Sequence, residues 1–491
     1  MPRLRTVALL STLALVAVAC GGRVSPQQVQ AERAADLADL PLGGALGAGA
    51  IDTSSSLDGG GFDGGASAGA VTDSGLGRSG AAGADAGSGG STGGGGGDTP
   101  PPPPPPAEGN GGATDVGVTE TDITVGNVST LSGPVPGLFR GALVGVQAYA
   151  AKVNAAGGIY GRQIKVLSGD DNFDTGTNRA KHREFADKAF ALVGSFSTFD
   201  SAGAGEMKAS GIPDIGRALA LARQNTGVHM SPLPIQVGWK TTTPEYFAST
   251  LGPDVVANTG FLWAAVDVAR ENAEWFMNAA ETVGWDFRYT REVQATESDF
   301  TADIVQMRNL GIQNMMYLGD VTGQARLWSA AHQQNWNPPL KYSIATAYDS
   351  SFLTLLGDPA AAQNTMISQN LAMYMGEDAS TIPEIAEFVS WMGRIDPNQT
   401  VDLFAIYGWL SAKLFARGVV DAGPNLTREG LLVALRAIGT YDSDGVTEKL
   451  NLGQQTYADN CELIITVKAG QFTRFHPQQG FNCQGSFVPA A

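Results

Sequence analysis

Asn154-Ala155-Ala156-Gly157-Gly158-Ile159-Tyr160-Gly161-Arg162-Gln163-Ile164 joins two patterns of different period. Before it, Phe139, Leu143, Val146, Ala150 and Val153 recur at helical spacing and make one apolar stripe. Gly157 and Gly158 stop that helix, since glycine alone adopts the left-handed cap without strain. After it, Gln163–Leu167 (QIKVL) reads as a strand. Upstream, Asp122–Val128 (DITVGNV) is an apolar, β-branched run that ends in a loop at Ser129–Pro134. Strand, helix and strand in this order are a βαβ unit, which points to an α/β fold built on parallel sheets.

The alternation continues outward. A helix through His182 and Phe185 leads to a buried strand at Phe190–Val193, and a helix ending at Glu206–Ser210 leads to a strand at Ile212–Ile215. An extended, proline-containing stretch, Ser231–Pro244, separates this series from a second. The second comprises strands at Gly260–Ala264, Phe287–Val293 and Asn314–Leu318, with helices at Ala269–Val283, Phe300–Leu310 and Gly323–Asn335. Thr381–Met392, Leu403–Val420 and Thr427–Ile438 read as helices. Cys461–Val467 and Gln471–Phe475 read as a hairpin turning at Lys468-Ala469-Gly470. From Val116 onward the body has about 375 residues, more than one core usually serves, so two domains are expected.

The N-terminal part has another character. Arg3 and Arg5 precede an apolar run, Val7–Val18, and small residues stand just before Cys20, which is the order of a secretory signal. From Cys20 to Asp115, Gly, Ala, Ser and Asp dominate, and such a composition cannot bury enough surface to offset backbone entropy. Gln27–Leu40 is a candidate transient helix, and Pro100–Pro106 a stiff polyproline rod. The segment reads as a tether. With Cys20 set aside, the remaining cysteines, Cys461 and Cys483, are an even pair, and an oxidising exterior permits a disulfide between them.

The net charge of −17 argues against a nucleic-acid partner, because phosphate neutralisation needs cations. The four histidines are scattered singly, and no phosphate loop, GxSxG, HExxH or dinucleotide fingerprint is present, so no metal, cofactor or catalytic role is expected.

The eleven residues quoted first resemble the NxxGGIxGRxI segment of type I periplasmic binding proteins, the branched-chain amino-acid-binding branch. Leu131-Ser132-Gly133-Pro134, Asp170–Asp174, Val193–Thr198, Gly211–Ile215 and Ser298-Asp299-Phe300 are similar to that family's successive motifs, in the family's order. The resemblance implies two Rossmann-like lobes with parallel sheets joined by a three-crossover hinge. One lobe would hold residues 116–243 and 371–445, the other 244–370 and 446–491. It also implies a protein that captures a small polar ligand, an amino acid, amide or carboxylate, by hinge closure and hands it to an ABC-type permease without chemistry. A receptor that signals to a membrane partner is the alternative, and an exported hydrolase the remote one. The residues before Cys20 resemble a lipobox, which would cleave residues 1–19 and attach lipid to the Cys20 sulfur.

Ligands of open parallel sheets sit at the carboxyl ends of strands, beside helix N-termini. The resemblance therefore nominates Ser132, Ser195, Phe196, Ser197 and Thr198 in the first lobe's loops, with Phe139 as an apolar wall and Arg217 and Ala218 after the fourth strand. Arg217 stands where the family has a small or hydroxyl-bearing residue, and suits an anion. In the second lobe, Asp320, Tyr348 and Asp349 are the nominated partners. The family's Tyr-Gly before that lobe's first helix is replaced by Ala265–Arg270 (AVDVAR), so the resemblance does not bring an α-amino acid with it.

Overall fold

The computed structural model describes residues 103 and 109–490, apart from 236, 295, 400 and 455–459. The signal, Cys20, the Gln27–Leu40 segment and most of the tether lie outside the described residues.

Strands β1 (Asp122–Ser129), β2 (Gln163–Asp170), β3 (Ala191–Val193), β4 (Asp214–Ile215) and β5 (His229–Met230) form a wholly parallel sheet in the order β2-β1-β3-β4-β5. The chain then leaves this sheet through β6 (Gly238–Lys240). Strands β7 (Thr259–Ala264), β8 (Phe287–Val293), β9 (Asn314–Leu318), β10 (Leu340–Ile344) and β11 (Thr365–Gln369) build the second, parallel sheet. After β11 the chain returns to the first lobe as helices Pro383–Ile395, Leu403–Ala422 and Arg428–Ala437 and a short ribbon, β12 (Thr440–Tyr441) with β13 (Leu450–Asn451). It crosses back as the hairpin β14 (Leu463–Lys468) and β15 (Gln471–His476), which extends the second sheet antiparallel beside β11. Strand β16 (Phe487–Pro489) finally pairs with β6. Three chain crossings thus join two lobes.

Burial follows from this layering. Strands β3, β7 and β9 are buried throughout, as parallel strands covered on both faces must be. Edge strand β8 (FRYTREV) instead exposes Arg288, Thr290 and Glu292, and such charges discourage pairing with another chain. The long apolar helix Leu403–Ala422 has the composition of a membrane span, yet most of it is buried against Arg140–Ala155. Their axes approach closely because glycines meet there. A Cβ on Gly145 would lie 2.0 Å from the Ala405 carbonyl oxygen, and one on Gly408 2.1 Å from that of Ala142.

The fold-deciding stretch is a helix stop followed by a tight turn. Helix Arg140–Ala155 ends, Gly157 and Gly158 take positive φ, and Ile159 and Arg162 exchange backbone hydrogen bonds of 2.9 and 3.0 Å. The turn buries Arg162 completely, and its guanidinium donates to the carbonyls of Thr119, Pro424, Asn110 and Gly112. This corrects the extent of the tether. Residues 109–115 are not free chain but a strap held by Arg162, with the Asn110 amide donating to Glu120 and Tyr160 carbonyls at 2.8 and 3.0 Å. Even Pro103 offers its carbonyl to the Tyr160 N–H at 3.3 Å.

One other expectation needs correction. Ser231–Pro244 is not extended to its end, because a helix begins at Thr242. Pro244 falls in its first turn, where a missing N–H removes no intrahelical bond. The helix after β3 is short, Ala204–Ser210, so the sequence pattern marks its end at Glu206–Ser210 but not a long body, and Asp200 before it braces a neighbouring loop.

Candidate functional site

The carboxyl ends of both sheets face a common cleft between the lobes, with about 1440 Å³ of empty space including its open mouth. Its walls are mainly apolar. The first lobe contributes Phe139, Phe196, Phe404 and Tyr407, whose rings pack edge-on or stacked at centroid distances of 4.7–5.9 Å. The second lobe and the first crossover contribute Trp239, Val266, Trp275, Leu318 and Ile344.

Among these stand a few polar groups without partners. The Thr198 hydroxyl, the Trp239 indole N–H, the Thr346 hydroxyl and the Gln369 side-chain oxygen are shielded from solvent and make no hydrogen bond. Burying such groups unsatisfied costs free energy, and a bound molecule that hydrogen-bonds them recovers it. Thr198 follows β3 and Arg217 follows β4, and these strands are neighbours. Thr346 and Gln369 likewise stand at the ends of the neighbouring strands β10 and β11. Each lobe thus presents polar groups from adjacent strand ends.

The nominated residues divide sharply. Phe139, Phe196, Thr198, Arg217 and Asp320 line the cleft. Ser132, Ser195, Ser197, Ala218, Tyr348 and Asp349 do not, because each has been drawn into the scaffold. The Ser132 hydroxyl donates to Asp170 at 2.5 Å. Burial raises the Asp170 carboxyl, but hydrogen bonds from Ser132 and from the backbone of Asn172, Leu131 and Ser132 outweigh it and hold it below the ordinary range. The Ser195 hydroxyl accepts from the Val128 N–H at 3.0 Å, and Ser197 donates to Asp171. Ala218 is buried beneath the loop. The Tyr348 hydroxyl donates to Glu377 at 2.5 Å. Asp349 caps helix Ser350–Leu355 through the Ser351 N–H at 2.7 Å. Serine, threonine and aspartate are turn and cap residues first, and here that role won.

Behind the first-lobe wall lies a buried ionic network. Arg223 forks onto Asp214 with two bonds of 2.8 Å, donates to Asp200 at 2.6 Å and reaches the Ser195 carbonyl at 3.1 Å. His229 meets Asp214 at 2.7 Å, and Asp200 accepts the N–H groups of Leu219 and Ala220. Burial works against the Asp214 carboxylate, but the Arg223 charge and His229 hold it far below the ordinary range. The network fastens the loops after β3 and β4, which carry Thr198 and Arg217.

Trp239, Trp275, Thr346, Gln369, Phe404 and Tyr407 escaped sequence reading. Phe404 and Tyr407 belong to a helix apolar on every side, and Gln369 ends a strand with no strong alternation, so no local signal marked them. Among the described residues no cluster of His, Cys, Asp and Glu suits a metal ion. Cys461 and Cys483 are bonded to each other at the start and end of the segment carrying the β14–β15 hairpin.

The sequence profile described as periplasmic binding protein matches residues 122–470. No curated protein matches the chain. Solved structures do, at identities that speak for the fold alone. A fatty acid ABC transporter substrate-binding protein from Thermomonospora curvata aligns with a TM-score of 0.61 at 19% identity, over 77% of this chain and 93% of that one. The branched-chain amino acid transporter substrate binding protein of Streptococcus pneumoniae, in complex with isoleucine, gives 0.60 at 16%, over 75% and 99%. A substrate-binding periplasmic protein from Ralstonia solanacearum gives 0.62 at 18%, over 72% and 100%.

Proposed function

Because the chain belongs to the periplasmic binding protein family, whose members bind solutes and are not enzymes, we propose that it captures a small organic solute in the interlobe cleft and delivers it to an ABC-type permease. One observation carries this reading: unpartnered polar groups from both lobes, Thr198 on one and Thr346 and Gln369 on the other, border the same apolar cleft. A solute that satisfies both sets favours the closed arrangement, and three crossings allow the lobes to move as rigid bodies about a hinge. The structural relatives named for fatty acid and branched-chain amino acid transport support delivery to a permease. The run from Val7 to Ala19 before Cys20 supports export and a lipid anchor on that sulfur.

The test is a melting screen of the full chain against amino acids, amides, monocarboxylates and sugars, with scattering to follow compaction. A ligand at 100 times its dissociation constant adds about 2.7 kcal/mol. Thr198→Val combined with Gln369→Leu should weaken that ligand at least tenfold. A chain stabilised by none of these compounds, or a double variant that binds like wild type, refutes the reading. For the anchor, Cys20→Ala should release the protein from the membrane fraction.

A further inference from the structure

We infer that the ligand is an apolar monocarboxylate without an ammonium group, its carboxylate paired with Arg217; this rests on the capture reading above. The inference comes from a count of charges in the cleft. Two cations, Arg217 and Lys240, and two carboxylates, Asp320 and Glu462, line it. Lys240 and Glu462 answer each other by charge, and Asp320 is held at the positive end of a helix. Lys240 donates to the Cys461 carbonyl at 2.9 Å and stands 3.9 Å from Glu462, which also accepts from Thr243 at 2.6 Å. Asp320 caps helix Val321–Gln333, accepting the N–H groups of Thr322 and Gly323, each at 3.0 Å.

Arg217 differs. Its half-buried guanidinium donates to the Pro234 carbonyl and, among the described residues, meets no carboxylate. It has five donors in a planar fork, and a carboxylate is the group that fills such a fork with two charge-assisted bonds. Arg217 lines the cleft together with the aromatic cluster of the first lobe, Phe196, Phe404 and Tyr407. An apolar body then packs on those rings and on Trp239 and Trp275 across the cleft. A zwitterion would bring an ammonium as well; Glu462 already faces Lys240 and Asp320 caps its helix, which leaves that charge chiefly neutral acceptors such as the Gln369 oxygen. Leaving that charge poorly satisfied among aromatic rings is costly.

Calorimetric titration of the full chain separates these chemistries with matched probes. The set is 3-phenylpropanoate and 4-methylpentanoate, their amino-bearing counterparts phenylalanine and leucine, and neutral 3-phenylpropanamide. At least one carboxylate should bind tenfold or more tighter than its amino acid and than the amide. Arg217→Met should erase that preference, and Arg217→Lys, which keeps the charge but not the fork, should retain part of it. Tighter binding of an amino acid or the amide overturns the ligand class but leaves capture standing. So does a carboxylate preference that survives in Arg217→Met, or an equal loss for carboxylate and amide in both variants. Failure of these probes and of the whole screen overturns capture itself.

Discussion

Replacing Arg223 with Met tests how the first-lobe wall is held. Arg223 is 2% exposed, and the carboxylates it grips, Asp200 and Asp214, are 3% and 0% exposed. The substitution removes two bonds to Asp214, one to Asp200 and one to the Ser195 carbonyl, and leaves two buried negative charges near each other. Breaking a buried ion pair by removing one partner costs about 3–5 kcal/mol. The lower end applies, because His229 still faces Asp214 and the Leu219 and Ala220 N–H groups still reach Asp200. At a urea slope of about 3 kcal/mol/M, the midpoint should fall by roughly 1 M. The pH dependence gives a second reading. In the wild type the depressed Asp214 carboxyl adds stability that is present above the ordinary carboxylate range and lost as pH falls through its lower folded value. In the variant the same burial acts unopposed by the arginine and raises the folded pKa, so stability increases as pH falls. The gap between the two proteins should therefore narrow toward pH 4. Adding Asp214→Asn to the variant should recover part of the loss, since one orphaned charge disappears. A midpoint within about 0.3 M of wild type at pH 7 would refute the claim that this network sustains the loops after β3 and β4.

Three further outcomes follow from the packing and the charges. Gly145→Ala should lower the melting temperature by several degrees without touching the cleft, because its Cβ would lie 2.0 Å from the Ala405 carbonyl and force two helices apart. Asp402, the cap of helix Leu403–Ala422, is raised to about 7, first by burial and then by the Asp349 charge, against backbone hydrogen bonds from Ala405 and Phe404. A raised carboxyl makes stability fall as pH climbs from about 4 to about 7, by less than roughly 4 kcal/mol because part of Asp402 still reaches solvent. Asp402→Asn keeps the cap and should flatten that slope in melts between pH 5 and 8. Reduction of Cys461–Cys483, which closes a loop with a sequence separation of 22, should cost about 3 kcal/mol by the chain-entropy account, read as a lower urea midpoint.

The alternation of period-3.6 and extended runs made the lobes legible, since a parallel strand or its covering helix announces itself by what it buries. Strands β8 and β9 fall where the pattern puts them, at Phe287–Val293 and Asn314–Leu318. What stayed hidden was either too short to carry a period, like the two-residue β5, or depended on partners distant in sequence. The strap at 109–115 is an example. Its composition is that of free chain, and Arg162, some fifty residues later, supplies the donors to its Asn110 and Gly112 carbonyls. The cleft shows the same limit. Phe404 and Tyr407 are core-like by local pattern, and the second crossing alone turns them toward the ligand space.

The serines of the first lobe show why chemistry cannot be carried from motif to site one residue at a time. Ser195 and Ser197 have the right type and the right loop for gripping an anion, yet their hydroxyls bond to the Val128 N–H and to Asp171. Each such bond joins the loop after β3 to β1 or to the loop after β2, so the wall is stiffened by the groups that would otherwise meet the ligand. A stiff wall loses little entropy on binding. It must then take its anion donors from elsewhere, and among the described residues the charged donor on this wall is the Arg217 guanidinium, with the Thr198 hydroxyl near it on loops that Arg223 ties together. An anion moved from neutral hydroxyls to a guanidinium gains a charge-assisted contact and becomes more sensitive to that one side chain. Affinity for a carboxylate should accordingly fall with added salt far more in the wild type than in Arg217→Met, and equal salt dependence in the two would count against the pairing.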